Sequence, residues 1–469
     1  MPMTAGLTMF PLEELATRIR TREISPVEAV EESLAKIDRL NPALNAFLTV
    51  NTDAAMAAAR AAEREIVGGA YRGPLHGIPV AHKDLFDTAG VRTTAGSKIM
   101  GDRVPDRDAA VVRRMTEAGA ITLGKLGLHE FAFGGTSDNP HYGTVRNPWG
   151  EDRCPAGSSG GSGAAVAAGL AFAATGSDTG GSIRMPAAFC GTVGLMPTYG
   201  RVSLDGVVPL SWTLDHAGPL TRTVRDSALV LQAIAGFDPR DPVSVDRPVP
   251  DFLEGIDAGA KGLRIGVPNQ YFWDAADADV RDAARSAIAG FEAAGADVRE
   301  VDFQKVQSYF AAAATIIVVE AAAYHAPWFP SRQAEYGPDV AALLQVGLTV
   351  PAPAFASAMR TLAIARAGEA DALLDAAGVD VLAVPTTPLT APTVADARDP
   401  QVSGRHHIFT MPFDLTGQPV IAVPCGLLPP GLPVSISFVG RCWDERAILR
   451  AGRALELIRG SFPAPPLAL

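Results

Sequence analysis

Two clusters of serine and glycine lie near each other in the first half of this chain. The first is Gly157-Ser158-Ser159-Gly160-Gly161-Ser162, and the second is Asp178-Thr179-Gly180-Gly181-Ser182. Glycine allows backbone N–H groups to approach a ligand closely, and serine supplies hydroxyl groups that donate and accept hydrogen bonds. The small apolar residues between the clusters have a helical pattern from Ala164 to Leu170, which a flexible linker would not have. We therefore expect the two clusters to form one reactive site.

Ser182 is placed to act as the nucleophile of such a site. It follows Gly180-Gly181 and precedes a helical pattern over Ile183–Phe189, so a turn would deliver it to the N-terminus of a helix. Free N–H groups and the positive end of the helix dipole favour an anion at that place. We expect an oxyanion hole formed by the N–H groups of Thr179, Gly180, Gly181 and Ser182.

The base that would activate this serine is harder to identify. The chain has eight histidines, and none belongs to a recognisable triad motif. Lys83 stands at the end of the apolar strand pattern that begins at Gly77, and burial favours the neutral form of a lysine. Its neighbour His82 would point to the opposite face of that strand. Ser158 or Ser159 could relay a proton between Lys83 and the nucleophile.

Each of these features also has a purely structural explanation. A lysine after a strand is usually a surface charge, and a serine–glycine loop is often a turn or an anion-binding nest. The Thr179–Ser182 segment could simply cap a helix. The conjunction of all three in this order is what favours a catalytic site.

Composition limits the function classes. The 469 residues are 48% hydrophobic and 19% charged, which supplies a large core, and the net charge of −11 disfavours nucleic-acid binding. No signal peptide is recognisable, and the longest uncharged segment is too short in its apolar part to span a membrane. The cysteines form no metal-binding pattern, so we expect reduced thiols, a cytoplasmic location and no metal or other cofactor. They are Cys154, Cys190, Cys425 and Cys442.

Helical and strand patterns predict the architecture that positions the site. The first 68 residues are helical, and Ser25-Pro26 has the residue types of a helix start. From Gly77 onward, short apolar strands alternate with helices; examples are the strands Ile121–Leu123 and Val434–Val439. This alternation predicts an α/β fold with a large mixed, mostly parallel central β-sheet covered on both faces by helices.

The motifs resemble those of the amidase signature family. The resemblance is carried by GSSGGS and by GSDTGGSIRMPAAFCGTVGLMPTYGRVS, and outside them by PLHGIPVAHKDLFDTAG, TSDNPHYGTVRNP, LDHAGPLTRTVRD and FTMPFDLTGQPVIAVPCG. It extends over roughly residues 10–455 and is weakest in a variable helical region at 240–370. It implies the amidase signature fold as one domain over residues 1–469, with helical segment 1–68 packed on it.

The resemblance also implies a Ser–cis-Ser–Lys triad. Ser182 would be the nucleophile, Ser158 the cis-peptide serine that carries the proton, and Lys83 the neutral base. The reaction would form an acyl-enzyme on Ser182, release the amine and then hydrolyse the ester.

Other positions of the motifs have implied roles. Ala132 and Gly134 align with residues that line the family's acyl site, so we expect them to bind substrate. Asp178 is expected to hold the catalytic loop through backbone hydrogen bonds, and Arg184 to pair with a carboxylate. We expect Ser162 to cap a helix that begins at Gly163, with a hydrogen bond inside the triad loop as the alternative.

The expected substrate is a small amide. A pocket lined by Ala132 and by nearby large apolar side chains would favour apolar or aryl amides; the candidates are Phe131, Phe133, Trp212, Met411 and Phe413. Carbamates (urethanes) and esters react through the same tetrahedral chemistry and are plausible extensions. We expect a monomer or homodimer that binds neither nucleic acid nor membrane.

One alternative keeps the fold and changes the biology: the glutaminase (A) subunit of a tRNA-dependent amidotransferase. That branch of the family has an acidic residue just before the segment that matches Ile408-Phe409-Thr410, where this chain has His407 after His406. The branch's arginine for the substrate α-carboxylate has no counterpart between residues 330 and 350. Both differences favour a free-standing amidase.

Two further hypotheses, an α/β-hydrolase and a nucleotide-binding protein, can be checked against short motifs. Residues 157–161 match GxSxG, the nucleophile elbow of α/β-hydrolases, with Ser159 as nucleophile. That elbow needs a hydrophobic strand directly before it, and Glu151-Asp152-Arg153-Cys154-Pro155 is not one. Nucleotide binding is disfavoured because no GxxxxGK[ST] occurs and no GxGxxG follows a strand.

Overall fold

The computed structural model describes residues 6–468. The strands are β1 (Phe47–Val50), β2 (Pro79–Lys83), β3 (Ile121–Leu126), β4 (Asp138–Asn139), β5 (Gly143–Thr144), β6 (Ala173–Asp178), β7 (Val193–Met196), β8 (His216–Thr221), β9 (Arg264–Pro268), β10 (Asp297–Val301), β11 (Val381–Pro385), β12 (Val420–Leu428) and β13 (Leu432–Val439).

The α-helices are interspersed with these strands. They are α1 (Leu12–Arg20), α2 (Pro26–Leu44), α3 (Thr52–Val67), α4 (Ala110–Glu117), α5 (Gly160–Ala167), α6 (Arg184–Cys190), α7 (Val224–Ile234), α8 (Phe272–Ala275), α9 (Ala278–Ala293), α10 (Val306–His325), α11 (Phe329–Arg332), α12 (Pro338–Thr349), α13 (Ala352–Ile364), α14 (Ala370–Ala377), α15 (Val394–Ala397), α16 (Pro400–Arg405), α17 (Met411–Thr416) and α18 (Glu445–Arg459).

Eleven strands form one large mixed sheet with helices around it, as the sequence predicts. Their order is β1-β3-β2-β6-β8-β7-β12-β13-β11-β9-β10. The expectation that the sheet is mostly parallel is wrong. Within residues 6–468, four neighbouring pairs are parallel and six are antiparallel. Five of the antiparallel pairs are consecutive, from β6 through β8, β7, β12 and β13 to β11. Among them, β12 and β13 form a hairpin, and strands joined by a short turn run antiparallel.

The predicted helix start at Ser25 is confirmed. The Ser25 side chain accepts a hydrogen bond from the backbone N–H of Glu28, and the Glu28 side chain accepts one from the N–H of Ser25. This reciprocal capping box, with Pro26 at the first helical position, satisfies two N–H groups that would otherwise lack partners. Helix α2 then packs Ala29 and Val30 into the interior.

Two parallel strands bring the predicted reactive segments to one edge of the sheet. β2 ends at Lys83 and β6 ends at Asp178, and the two strands are neighbours, with His82 beside Thr175. The carboxyl ends of parallel neighbours lie at the same edge, so the residues that follow β6 emerge next to Lys83. The loop from Asp178 leads through Ser182 into α6.

One helix of the described part, α10, is long and apolar enough to cross a membrane. Its apolar window has a mean hydropathy of 1.5, and half of that window is buried inside the protein. The pair formed by α12 and the segment Ala352–Ala377 also passes this test but is bent by 97°. Helix α10 packs against α12, α13 and α17 and carries the buried carboxylate of Glu320. These contacts are those of a core helix.

Candidate active site

Lys83 lies at the centre of a cluster of serine hydroxyls. Its side chain is fully buried, and Nζ lies 2.7 Å from Ser158 Oγ, 2.9 Å from Ser159 Oγ and 2.9 Å from Ser177 Oγ. Burial lowers the pKa of Lys83 to about 7, because the ammonium form loses its hydration, although the charges of Asp178 and Asp215 partly offset this effect. A substantial fraction of Lys83 is therefore neutral at neutral pH.

Ser177 is a neighbour of Lys83 that the sequence pattern did not single out. Strand periodicity could have found it, since Thr175 and Ser177 alternate with Gly176 and point to one face of β6. Thr175 Oγ1 accepts a hydrogen bond from the backbone N–H of Lys83, so both side chains face the end of β2. Strand β6 thus positions both the backbone and the side chain of Lys83, through Thr175 and Ser177 respectively.

The first serine cluster forms the loop over Lys83. The peptide bond between Gly157 and Ser158 is cis. The carbonyl of Ser158 accepts hydrogen bonds from the backbone N–H of His129 at 3.1 Å and from Ser137 Oγ at 3.3 Å. The backbone N–H of Ser159 donates to the carbonyl of Ser182 over 3.2 Å. This last contact brings the two serine clusters together, as the sequence predicts.

Asp178 holds the second cluster in place. Its carboxylate accepts hydrogen bonds from the backbone N–H groups of Gly181 and Ile183 and forms an ion pair with Arg184, whose Nε lies 2.9 Å from Oδ2. Arg184 also donates to Asp414 Oδ2 at 2.6 Å. Burial alone would raise the pKa of Asp178, but the Arg184 charge and its hydrogen bonds outweigh burial and hold that pKa below its usual range. The expectations for Asp178 and Arg184 are confirmed.

The predicted oxyanion donors differ in their availability. The N–H of Gly181 is donated to Asp178, so it is already engaged. Among residues 6–468, the N–H groups of Thr179, Gly180 and Ser182 have no protein acceptor. Residue 181 has to be glycine, because its φ is +122° and a Cβ would lie 2.2 Å from Thr410 Oγ1. Thus three of the four predicted N–H groups are free for an oxyanion.

Ser182 itself is 4% exposed. In the described part of the chain its hydroxyl makes no hydrogen bond, while its carbonyl is held by Ser159. It lies just before α6, whose N-terminal end is directed at the loop. The position therefore combines a free hydroxyl with the donors that an anionic intermediate needs.

The loop that carries Ala132 and Gly134 adjoins the first serine cluster. Ala132 is 2% exposed and has a φ of +58°. A Cβ on Gly134 would lie 2.2 Å from His129 Nε2, so a side chain at this position would displace that imidazole. His129 in turn donates its backbone N–H to Ser158. The expectation that Ala132 and Gly134 bind substrate stays a prediction.

His407 fills the space between this loop and the Ser182 loop. A Cβ on Gly135 would meet His407 Nε2 at 2.7 Å, and His407 Nδ1 lies 3.2 Å from the carbonyl oxygen of Gly180. If Gly180 carried a Cβ, the nearest atoms to it would be Met411 Cε at 3.1 Å, His407 Nδ1 at 3.6 Å and Ile317 Cδ1 at 3.8 Å. Burial lowers the pKa of His407, which favours its neutral ring. The three side chains nearest to Gly180 are therefore a thioether, an aliphatic group and an imidazole.

The expected pocket residues differ in their surroundings. Trp212 is 45% exposed, and its role in the pocket stays a prediction. Phe413 is buried and stacks on Phe272, with ring centroids 6.1 Å apart. Met411 does lie against the catalytic loop, and Ile317 of α10 joins it there. The sequence gives no signal for Ile317, because the region around it carries no motif.

Ser162 does not cap a helix, contrary to expectation. Helix α5 begins at Gly160, and Ser162 donates its hydroxyl to the carbonyl of Thr175 over 2.9 Å. The helix begins earlier because the backbone N–H of Gly163 already donates to the carbonyl of Ser159, which makes Ser159 the N-cap residue. Residues 151–155 form no strand, so Ser159 lacks the strand–turn–helix setting of a nucleophile elbow.

The structure offers no obvious metal site in the part it describes. Within residues 6–468, no group of three or more His, Cys, Asp or Glu side chains is arranged to hold a metal ion. The four cysteines are free, and Cys154 and Cys190 are buried. The groups that the site itself supplies for chemistry are lysine, serine and backbone N–H groups.

The large mixed sheet, with a buried lysine and two serine loops at one edge, defines the class of this protein as α/β. Residues 28–449 match the family described as Amidase. The chain belongs to this amidase family, whose enzymes act on the C–N bonds of amides.

Known relatives extend over almost the whole chain. A curated relative, the A subunit of glutamyl-tRNA(Gln) amidotransferase from Geobacter sp. (strain M21), is 40% identical over 95% of this chain and 96% of its own length. The peptide amidase from Stenotrophomonas maltophilia has a similar structure, with a TM-score of 0.86 and 32% identity over 98% of this chain and 99% of its own. A structure described as a vestigial protein complex that reveals the origins of an s-triazine catabolic enzyme has a TM-score of 0.90 and 34% identity over 95% and 98%.

Proposed function

We propose that this protein is a serine amidohydrolase that cleaves amides through an acyl-enzyme on Ser182. Lys83 acts as the base, and Ser158 carries the proton between them. The observation that carries the proposal is the buried contact of 2.7 Å between Lys83 Nζ and Ser158 Oγ, at a lysine whose pKa burial lowers to about 7. A neutral amine among three hydroxyls can donate two hydrogen bonds and accept one.

In the first half of the proposed reaction, one proton passes through Ser158. Ser158 gives its proton to neutral Lys83 and takes the proton of Ser182, while Ser182 Oγ attacks the carbonyl carbon. The negative charge on the carbonyl oxygen is stabilised by the N–H groups of Thr179, Gly180 and Ser182. The C–N bond then breaks, Ser158 protonates the leaving nitrogen, and Lys83 returns its proton to Ser158.

Water completes the cycle. It attacks the acyl-enzyme with its proton passing through Ser158 to Lys83, and the ester bond to Ser182 breaks as the proton returns to the serine oxygen. The free acid leaves, and every group regains its starting protonation. No step needs a cofactor.

We propose apolar or aryl amides as the preferred substrates. The wall beside Gly180 consists of Met411, Ile317 and a neutral His407, which suits an apolar acyl or aryl group. Carbamates and esters form the same tetrahedral intermediate and belong to the proposed range. None of these three side chains carries a carboxylate or a guanidinium that would pair with the charged groups of a free amino acid.

A second candidate is the glutaminase subunit of a tRNA-dependent amidotransferase. It is favoured by the 40% identity to the A subunit of glutamyl-tRNA(Gln) amidotransferase over nearly the full chain. Against it stands His407, at the position where that branch has an acidic residue. This candidate predicts partner subunits and tRNA, whereas the first predicts a monomer or homodimer.

A comparison of substrates tests both candidates. The purified chain is assayed with an aryl amide, an aliphatic amide, a carbamate, an ester and glutamine, each with the Ser182→Ala variant as control. We expect aryl amide turnover to exceed glutamine turnover and to vanish in Ser182→Ala. Preferred turnover of glutamine would establish the second candidate, and wild-type turnover in Ser182→Ala would refute the acyl-enzyme.

A further inference from the structure

A chain of hydrogen bonds connects α10 to the catalytic loop. Thr179 Oγ1 donates to Asp215 Oδ1 over 2.6 Å. The Asp215 carboxylate also accepts from the backbone N–H groups of Leu210 at 2.9 Å and Ser211 at 3.1 Å. Ser211 Oγ donates to Glu320 Oε2 over 2.5 Å. The proposed mechanism uses neither carboxylate, so their role needs a separate explanation.

Each member of this chain is buried. Thr179 is 1% exposed, Asp215 5%, Ser211 0% and Glu320 2%. Glu320 also accepts hydrogen bonds from the backbone N–H and the hydroxyl of Thr213. Carboxylates in an interior are tolerated when hydrogen bonds satisfy them, and such a network is rigid.

Asp215 lies beside the catalytic loop because of the sheet. Asp178, at the end of β6, is paired with His216, the first residue of β8. Asp215 therefore stands next to Thr179, the residue that follows Asp178. Asp178 accepts a hydrogen bond from the N–H of Gly181. Each end of the Thr179–Gly181 segment is therefore hydrogen-bonded to a buried carboxylate.

We propose that Asp215 is a positioning residue for amide hydrolysis, which holds the oxyanion N–H groups in place through the Thr179 hydroxyl, and that Glu320 fixes the turn supporting Asp215. The proposal rests on the proposed role of Ser182. It gives α10 a function beyond packing, because Glu320 lies one helical turn after Ile317, which faces Gly180. The helix then determines both the wall of the pocket and the geometry of the catalytic loop.

The charges around Asp215 add a second effect. Burial raises the pKa of Asp215 to about 7, and the Glu320 charge adds to this, while hydrogen bonds from Thr179 and the backbone oppose it. The Asp215 charge in turn raises the pKa of Lys83. The titratable groups near Asp215 are Lys83, Asp178, Tyr199, His216 and Glu320.

Substitutions of the two hydrogen-bonded partners test the proposal. Asp215→Asn and Thr179→Val each keep the side-chain volume and weaken or remove the hydrogen bond. We expect kcat on an aryl amide to fall about 10-fold to 100-fold in each, below the loss for a deleted oxyanion donor, with KM within about 3-fold. Thr179→Ser, which keeps the hydroxyl, should recover most of the loss. Thr221→Val, a buried substitution at the far end of β8, is the matched control.

The double variant and the pH profile separate positioning from a general structural role. If Asp215 acts through Thr179, the double variant loses no more kcat than the less active single variant. Because Asp215 itself has a pKa of about 7, it is largely protonated below pH 7, and Asp215→Asn should leave the acid limb of kcat/KM nearly in place. A loss of kcat with the acid limb retained then separates poorer oxyanion geometry from an altered pKa of Lys83. Losses that multiply in the double variant would overturn the proposal.

A labelling experiment makes the result independent of substrate choice. An alkyl fluorophosphonate is attacked by Ser182 Oγ and releases fluoride, and its phosphoryl oxygen needs the same N–H donors. If the wild-type chain is labelled but hydrolyses no amide, the proposed function fails while the positioning role is still measured by the labelling rate. If Asp215→Asn does not fold, the Thr179→Val and Thr179→Ser pair decides: equal labelling rates in both would refute the role of the hydroxyl.

Discussion

The most direct consequence of the site concerns the charge of Lys83. An ordinary lysine, with a pKa of about 10.4, is neutral at pH 7 in about one molecule in 2,500. Burial lowers the pKa of Lys83 to about 7, so about half is neutral. At 1.36 kcal/mol per pH unit, this corresponds to about 5 kcal/mol against the ammonium form. Because the base must be neutral, kcat/KM should fall as the pH drops below 7.

Lys83→Met tests this directly, since methionine keeps the length and removes the amine. General-base catalysis contributes about 10²-fold to 10⁴-fold, so we expect kcat/KM to fall by at least about 100-fold. The assay is release of an aryl amine between pH 5.5 and 9. The wild type should show an acid limb with a midpoint near 7, which reports the free enzyme.

Lys125 provides a matched control. It is also fully buried, but its Nζ donates to the carbonyl of Phe86 and to Thr93 Oγ1 and lies 3.4 Å from Asp84 Oδ1. Lys125→Met should lower the free energy of unfolding by about 3–5 kcal/mol, because Asp84 loses its partner, and should leave the acid limb in place. If Lys83→Met kept kcat within tenfold and the same acid limb, the assignment of the base would be wrong.

Three further outcomes follow from the same contacts. Arg184→Met should lower the free energy of unfolding by about 3–5 kcal/mol, measured by urea denaturation, because Asp178 and Asp414 would remain buried without their cation; an unchanged midpoint would contradict this. Gly181→Ala should reduce kcat by at least about 100-fold and lower Tm, since its φ of +122° and the contact with Thr410 exclude a side chain; steady-state kinetics and calorimetry check both. Ser177→Ala removes one of three hydroxyls around Lys83 and should reduce kcat less than tenfold with the acid limb retained; a loss as large as that of Lys83→Met would make Ser177 part of the relay.

Much of the site was predictable because its residues are marked by local patterns. Ser158 and Ser182 stand in glycine-rich segments, and Lys83 ends an apolar strand. Asp178 and Arg184 are four and two residues from Ser182, so their role in holding the loop could be inferred from spacing. The structure confirms this role through direct hydrogen bonds.

Other features depended on contacts between distant segments. Ile317 and His407 reach Gly180 from elements more than a hundred residues away, and no motif marks Ile317. The hydrogen bond from the Gly181 N–H to Asp178 could be seen only in the structure, because sequence spacing cannot show which way an amide points. The strand directions were mispredicted because alternating strands and helices suggest parallel pairs, whereas β6, β8, β7, β12 and β13 are joined antiparallel.

Local residue patterns were sufficient to recognise the family, the α/β class and the three residues proposed to carry the chemistry. These depend on residue types within short segments, where glycine, serine and a strand-end lysine have few alternative uses together. The folded structure was needed to show which N–H groups are free, which side chains lie beside Gly180, and which buried carboxylates contact the loop. Those properties arise from packing between segments far apart in the chain, where distance and burial, rather than residue order, determine a hydrogen bond or a pKa.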